Sequence, residues 1–211
     1  PELPVSISSE VAPEFREYER ASTTVLNAYV LPVMSRYLSR LTAAASAAGL
    51  PSDVLVMRSS GGLITAKDAA AAPATALLSG PAGGVVAATE LGRALGREHL
   101  LSFDMGGTST DVCRIDNFRP EISHERDVAG YPCRLPSVAI HTVGAGGGSV
   151  GWVDSGGALR VGPRSAGAVP GPASYGHGGT EPAVTDANVA LGRIDPAARF
   201  GVDLDLQPDR A

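Results

Sequence analysis

The chain of 211 residues carries a formal net charge of −5, which excludes a general nucleic-acid binder, because that role needs a basic face. Its hydrophobic fraction of 44% suffices for the core of one large domain or parts of two, and charged residues are sparse at 18%. No apolar run approaches the roughly 18 residues of a membrane span.

Pro1 to Val5 carry no initiator methionine and no signal-peptide pattern, so the sequence reads as a piece of something longer. Val5-Ser6-Ile7-Ser8 alternates apolar and polar residues, the period of a short strand. Pro13-Glu14 opens a helix with an acidic first turn. Ser22 or Thr23 is placed to cap the next helix, which runs to about Ala48 and stops at Gly49. Leu26, Val30, Val33, Tyr37, Leu41 and Ala44 recur at helical spacing and predict its buried stripe, with Tyr29 and Met34 also assigned to the core. Pro32 is expected to kink this helix, and Arg36 and Arg40 to be solvated.

Asp53 to Met57 predicts a short apolar strand of the kind covered on both faces. It delivers Arg58-Ser59-Ser60-Gly61-Gly62 to a helix from about Thr65 to Ala71. That order places N–H groups at a sheet edge and makes Gly61 and Gly62 secondary site candidates, with an ordinary turn as the alternative. Leu77 to Gly84 leads into a helix through Leu95, closed near Gly96. This block lacks the Lys-Ser/Thr ending of a nucleotide phosphate loop, and its small residues Gly83, Gly84, Ala87 and Ala88 predict close packing instead.

Residues 100–112 predict a hairpin: Leu100 to Phe103 run into Asp104, and a strand resumes from Val112 to Ile115. Gly106 and Gly107 allow close backbone approach and positive φ. Thr108, Ser109 and Thr110 add hydroxyls beside backbone N–H groups, a concavity suited to anionic oxygens. Asp104 and Asp111 would be repelled by bare phosphate, but a carboxylate such as Asp104 attracts phosphate-bound Mg²⁺. A tight hairpin with solvated hydroxyls is the plain alternative.

Further on, Pro120–His124 and Tyr131–Leu135 read as strands around an Asp127–Gly130 bend, with His124 on a solvated face. Val138 to Val143 reads as one strand feeding Gly144-Ala145-Gly146-Gly147-Gly148-Ser149. No helix follows, so a dinucleotide fingerprint fails. Ser149 to Val153, a turn at Asp154–Gly157, and Ala158 to Val161 form a second hairpin. So many glycines cost ordering entropy and imply either crowding against a ligand, the reading preferred here, or a sharp backbone turn. His141 is the best-placed histidine for a metal or substrate, with a packed core histidine as the alternative. Gly162 to Thr180 reads as a functional loop with Tyr175 and His177 as substrate-facing candidates. Thr185 or Asp186 caps a helix through Leu191, stopped at Gly192, and the tail alternates polar and apolar residues from Pro196. Cys113 and Cys133 lack metal spacing and are read as reduced thiols of a cytoplasmic protein.

Asp104-Met105-Gly106-Gly107-Thr108-Ser109-Thr110-Asp111 resembles the phosphate hairpin of the actin, Hsp70 and sugar-kinase ATPase superfamily, and more narrowly the hydantoinase A/5-oxoprolinase family. Ser9-Glu10 with Arg16–Arg20, Ser59–Leu63, Leu78–Gly84, His141–Ser149 and Tyr175–Thr180 carry the same likeness, which runs from the start to about Pro196. The resemblance implies an α/β, actin-like (ribonuclease H-like) ATPase fold. Residues 1–98 would be the end of a first half-domain with its connecting helix, and 99–211 the start of a second. It implies ATP and Mg²⁺ as cofactors, and ATP-dependent hydrolysis of a cyclic amide of hydantoin or 5-oxoproline type through phosphorylation of a carbonyl or enol oxygen. The ATP-using subunit of an acetone or acetophenone carboxylase and an Hsp70-like nucleotide switch are the alternatives. The blocks at 78–84 and 141–149 argue against a sugar kinase.

On this reading Gly106, Gly107, Thr108, Ser109 and Thr110 hold phosphate oxygens, Asp104 holds Mg²⁺ directly or through water, and Asp111 either supports the metal's ligands from behind or orients water. Gly144, Gly146, Gly147, Gly148 and Ser149 close on nucleotide or substrate, and His141 joins Asp104 as a metal candidate. The implied partners are a small cyclic amide or ketone, a hydantoinase B-like subunit or domain, and further copies of the chain in a homo-oligomer. The superfamily holds its nucleotide between two phosphate hairpins and only one is present here, so weak or no turnover is expected of this piece alone.

Overall fold

The computed structural model describes residues 3–50, 53–197 and 205–211. In chain order the elements are helix α1 (Ser8–Val11), the long helix α2 (Glu17–Ala47), strands β1 (Leu55–Met57) and β2 (Leu63–Thr65), and helices α3 (Ala66–Ala71) and α4 (Gly80–Leu95). Then come β3 (His99–Met105), β4 (Thr110–Asp116), β5 (Arg119–Pro120), β6 (Ile122–Ser123), β7 (Arg126–Val128), β8 (Tyr131–Cys133), β9 (Ser137–Val138) and β10 (His141–Val143). Strands β11 (Ser149–Val153) and β12 (Leu159–Ser165) and helix α5 (Val184–Ala190) complete the series. Contacts gather these into two compact units: residues up to Ser102 with Cys113–Ile140, and Phe103–Val112 with the residues from His141 onward.

In the first unit, α2 is one uninterrupted helix from Glu17, so Ser22 and Thr23 lie inside it rather than capping it, and Pro13-Glu14 precedes it as a bend. Residues 5–8 are not a strand; Ser8 opens α1. The helix passes through Pro32, whose missing N–H would otherwise bond the carbonyl of exposed Ala28, a group that water can satisfy. The buried face is not the expected stripe. Thr23, Asn27, Leu31 and Leu38 are buried, whereas Tyr29, Val33, Tyr37 and Leu41 are exposed; only Leu26, Val30 and Met34 are half-buried. The reason is polar bonding that a hydrophobicity pattern does not register. Thr23 Oγ1 accepts from the Arg134 N–H, Ser22 Oγ donates to the Pro132 carbonyl, and Asn27 Oδ1 accepts from the Ala74 N–H at 3.1 Å. These bonds tie α2 to β8 and to the single turn at Pro73–Ala76.

Strand β1 does not feed a helix directly. It pairs antiparallel with β2, with Met57 opposite Leu63, so Gly61-Gly62 is a hairpin turn and not a helix N-terminus. Both glycines have positive φ, which a tight turn of this kind requires. Thr65 then caps α3, accepting from the Asp68 N–H. Helix α4 ends as expected, with Gly96 left-handed at its C-cap. Its packing face is Ala82, Val85, Thr89 and Gly92, while Gly84 and Ala87 are exposed. Ala82 and Val85 join Cys113, Ile115 and Val138 in one core cluster; Leu38, Ala66 and Ala69 form a second, and Ala74, Cys133 and Leu135 a third. Both cysteines are free and buried, and burial pushes the Cys113 thiol up.

The expected strand at 138–143 is two strands. β9 pairs with β6 in the first unit and β10 pairs with β4 in the second, so the chain leaves one partner for the other at Ala139–Ile140. The bend expected at 127–130 shrinks to Ala129-Gly130, both at positive φ, between β7 and β8. His124 is exposed, as expected.

In the second unit, β11 and β12 pair across a turn in which the Asp154 carboxylate accepts the Gly156 and Ala158 N–H groups. Strand β12 extends to Ser165, so the start of the expected 162–180 loop is ladder. The rest is ordered by one buried carboxylate. Asp186 accepts the N–H groups of Ala173, Ser174 and Ala183, and so serves as the third residue of α5, with Ala183 at the cap. The alternation expected after Pro196 falls largely outside the described residues.

Candidate functional site

The site is built from the hairpin tip at 104–111 and the loop at 141–149, both in the second unit. Strand β4 enters it paired with β10, placing Thr110 opposite Val143, Asp111 opposite Thr142 and Val112 opposite His141. At the tip the Gly106 N–H donates to the Ser109 carbonyl at 2.8 Å. In an ordinary turn the reverse bond, from the Ser109 N–H to the Gly106 carbonyl, would also be available. Here that carbonyl instead accepts from the Gly147 N–H at 2.9 Å, and the Gly107 carbonyl accepts from the Gly148 N–H at 2.6 Å. The N–H groups of Gly107, Thr108 and Ser109 find no protein acceptor among the described residues. Gly107 and Thr108 are exposed and Ser109 is half-exposed. Consecutive unpaired donors at an exposed turn make an anion cradle.

The glycine-rich loop has a different part from the one expected. A Cβ on Gly146 would lie 2.7 Å from the Gly106 carbonyl oxygen, one on Gly148 2.9 Å from the Gly107 oxygen, and one on Gly147 2.7 Å from Thr185 Oγ1. Its glycines are therefore crowded by protein backbone and side chain rather than by a ligand. The N–H groups of Gly146, Gly147, Gly148 and Ser149 are all bonded internally, Gly146 to Ser149 Oγ at 2.9 Å. Gly144 alone of the four has open space at its Cβ position. Neither Gly106 nor Gly107 adopts positive φ; the absence of a Cβ matters at Gly146 and Gly148, where backbone meets backbone.

Thr110 is buried, and its Oγ1 donates to the Ala145 carbonyl at 2.6 Å, so it staples the loop to the hairpin. Asp104 is exposed, Asp111 is half-buried, and neither is ion-paired among the described residues. Asp111 Oδ1 accepts from Thr142 Oγ1 at 2.6 Å. His141 is exposed on β10. Among the described residues no three His, Cys, Asp or Glu side chains come together as a metal site, so Asp104 and His141 form no closed protein-only centre. Mg²⁺ needs none, since it binds through one or two carboxylates, phosphate oxygens and waters, and exposed, unpaired Asp104 fits that donor set.

Thr142, Thr185 and Asp186 escaped notice as site-shaping residues. Thr185 donates through both its N–H and its Oγ1 to the Gly147 carbonyl. Their partners lie 31 or more positions away for Thr142 and Thr185, beyond any local pattern. Asp186 was legible only as a helix cap.

The hairpin presents free N–H groups and two carboxylates on a mixed α/β scaffold. A sequence profile described as hydantoinase/oxoprolinase matches residues 20–209, and the chain belongs to that family. The match extends the likeness past Pro196, where it was expected to fade. The chain is 41% identical over 211 residues to the caprolactamase subunit alpha of Pseudomonas jessenii, covering 100% of this chain and 30% of that one. It is 42% identical over 193 residues to the 5-oxoprolinase of Saccharomyces cerevisiae, covering 91% of this chain and 15% of the relative. The crystal structure of the ATP-dependent caprolactamase from P. jessenii matches with a TM-score of 0.77 and 40% identity, over 98% of this chain and 30% of that one. Nucleotide-free acetone carboxylase, from a study of ATP-dependent acetone carboxylation, matches with a TM-score of 0.77 and 34% identity, over 96% and 28%. The chain thus spans less than a third of the length of these relatives. No helix among the described residues is long and apolar enough to cross a membrane.

Proposed function

We propose that the chain supplies the phosphate-binding hairpin of an enzyme that opens a cyclic amide with ATP, on an actin-like ATPase fold. The observation that carries this is the run of unpaired N–H groups at Gly107, Thr108 and Ser109 on a hairpin tip held by the Gly147 and Gly148 N–H groups. Phosphoryl transfer asks a protein for positioning and charge neutralisation more than for covalent chemistry. The three N–H groups and the Thr108 and Ser109 hydroxyls hold phosphate oxygens, Asp104 holds Mg²⁺, and Asp111 orients water. When bound, Mg²⁺ neutralises phosphate charge. The substrate's amide carbonyl oxygen takes the γ-phosphoryl group as the β–γ bond breaks and ADP leaves; water then adds to the activated carbon, the ring C–N bond breaks with the nitrogen taking a proton, and a second water hydrolyses the resulting acyl phosphate to carboxylate and phosphate. The identity to a 5-oxoprolinase and a caprolactamase supports the amide class.

A second reading, the ATP-using subunit of a ketone carboxylase, draws on the structural match to acetone carboxylase. Because one relative is named as a subunit, we place a hydantoinase B-like partner beside this chain, and homo-oligomers with it. The setting is cytoplasmic, in keeping with two free thiols. The test is Asp104→Asn in the full-length protein, with ATP hydrolysis followed in the presence of lactams, hydantoins and ketones. We expect stimulation by a cyclic amide, and a loss of about a hundredfold or more in the variant. Wild-type turnover in Asp104→Asn would overturn the Mg²⁺ assignment; stimulation by ketones with bicarbonate alone would favour the carboxylase.

A further inference from the structure

We infer that Thr142 is a positioning residue that fixes the Asp111 carboxylate in the phosphate site; the inference rests on the role proposed for Asp111. Thr142 and Asp111 are direct partners in the antiparallel β10–β4 pair, and Thr142 Oγ1 donates to Asp111 Oδ1 at 2.6 Å. That is the length of a charge-assisted bond from a hydroxyl to a carboxylate, for which about 2.5–2.7 Å is usual. The other oxygen, Oδ2, has no partner among the described residues. One oxygen is thus anchored while the second is presented outward in a set direction. A carboxylate on a bare strand end would turn freely about its terminal torsion, which is broad and two-fold.

The anchor itself is not free to drift. Val143, next in sequence to Thr142, pairs with Thr110, and Thr110 Oγ1 grips the Ala145 carbonyl two residues on. The Gly147 and Gly148 N–H groups hold the tip of the same hairpin. Both strands that carry the pair are therefore pinned on its tip side, and His141 opposite Val112 continues the ladder on the other. Preorganisation of this kind acts on the reaction step and leaves nucleotide affinity alone, because the phosphate oxygens are held by the tip N–H groups and not by Asp111. A cross-strand pair with a merely structural role would affect stability without separating these quantities.

The experiment is a double-mutant cycle in the full-length protein, reading substrate-dependent ATP hydrolysis and thermal stability. Thr142→Val, close to isosteric, should lower kcat about tenfold and leave KM for ATP within about twofold, and Thr142→Ser, which keeps the hydroxyl, should restore kcat to within about twofold. Asp111→Asn combined with Thr142→Val should be no slower than Asp111→Asn alone. Wild-type kcat in Thr142→Val, failure of the serine variant to rescue, or additive losses in the double variant would overturn the positioning role while leaving the phosphate site intact. Wild-type kcat in Asp111→Asn would instead remove the role of Asp111 itself, and this inference with it.

Discussion

Gly146→Ala is the sharpest test of how this site is assembled. The added methyl carbon would sit 2.7 Å from the Gly106 oxygen and 2.7 Å from the Gly107 carbonyl carbon, where ordinary contact begins at 3.4 Å. Both obstacles are backbone, so the two loops must separate by about 0.7 Å, the difference of those two distances. A shift of that size would stretch the Gly147 N–H bond to the Gly106 carbonyl from 2.9 Å to about 3.6 Å, past hydrogen-bonding range. Losing that bond costs about 1 kcal/mol. Overpacking a close contact adds about 1–3 kcal/mol, for a total of about 2–4 kcal/mol. Gly144→Ala is the control: nothing lies within 4 Å of its Cβ position and its φ is ordinary, so its effect should stay within about 0.5 kcal/mol. Urea unfolding at constant slope measures both, and amide exchange should quicken at Gly147 and Gly148 in the first variant only. Equal stability of the two variants would refute the account of backbone against backbone. The same separation loosens the hold of Gly147 on the hairpin tip, so nucleotide binding should weaken together with stability.

Two further outcomes follow from buried and paired carboxylates. Asp186→Asn leaves one acceptor oxygen where two accept three backbone N–H groups, and turns an amide donor toward donors; it should cost about 2–4 kcal/mol in urea unfolding, and a neutral result would remove Asp186 as the organiser of the 173–183 segment. The Arg160 guanidinium, followed by the Ala158 and Gly156 N–H groups, holds the Asp154 carboxyl below its ordinary value of 3.8. A lowered folded value means that the stabilisation is present above that ordinary value and is lost as pH falls through the folded one. Stability should therefore drop between the two on acidification, and the drop should shrink in Asp154→Asn; an unchanged acid limb would refute the pairing.

Much of the chain was legible where its signals are local. The turn at Asp154–Gly157, the stop of α4 at Gly96 and the hairpin at 100–112 all depend on residues within a few positions of each other. Helix α2 defeated the same reasoning. Its buried face holds Thr23 and Asn27, whose partners at Arg134 and Ala74 are remote in sequence, while its regular apolar ridge of Val33, Tyr37 and Leu41 is exposed. Hydrophobic period identifies the buried face only where burial is driven by apolar area alone, and here hydrogen bonds at Thr23 and Asn27 set it together with Leu31 and Leu38. The strand expected at 138–143 failed for a related reason: each half is long enough to pair, and no local feature reveals that the partners differ.

From residue order alone came the family, the hairpin and the residue types at its tip, because glycine, hydroxyl and carboxylate chemistry is written one position at a time. Which of those groups remain free was decided only by tertiary structure. The Gly144–Ser149 loop, expected to close on a ligand, turns out to occupy the carbonyls of Gly106 and Gly107. A buried threonine, Thr110, locks the arrangement through the Ala145 carbonyl. A hydrogen bond between segments about forty residues apart has no signature in either segment, so the way the hairpin tip is held is a property of the fold and not of the motif.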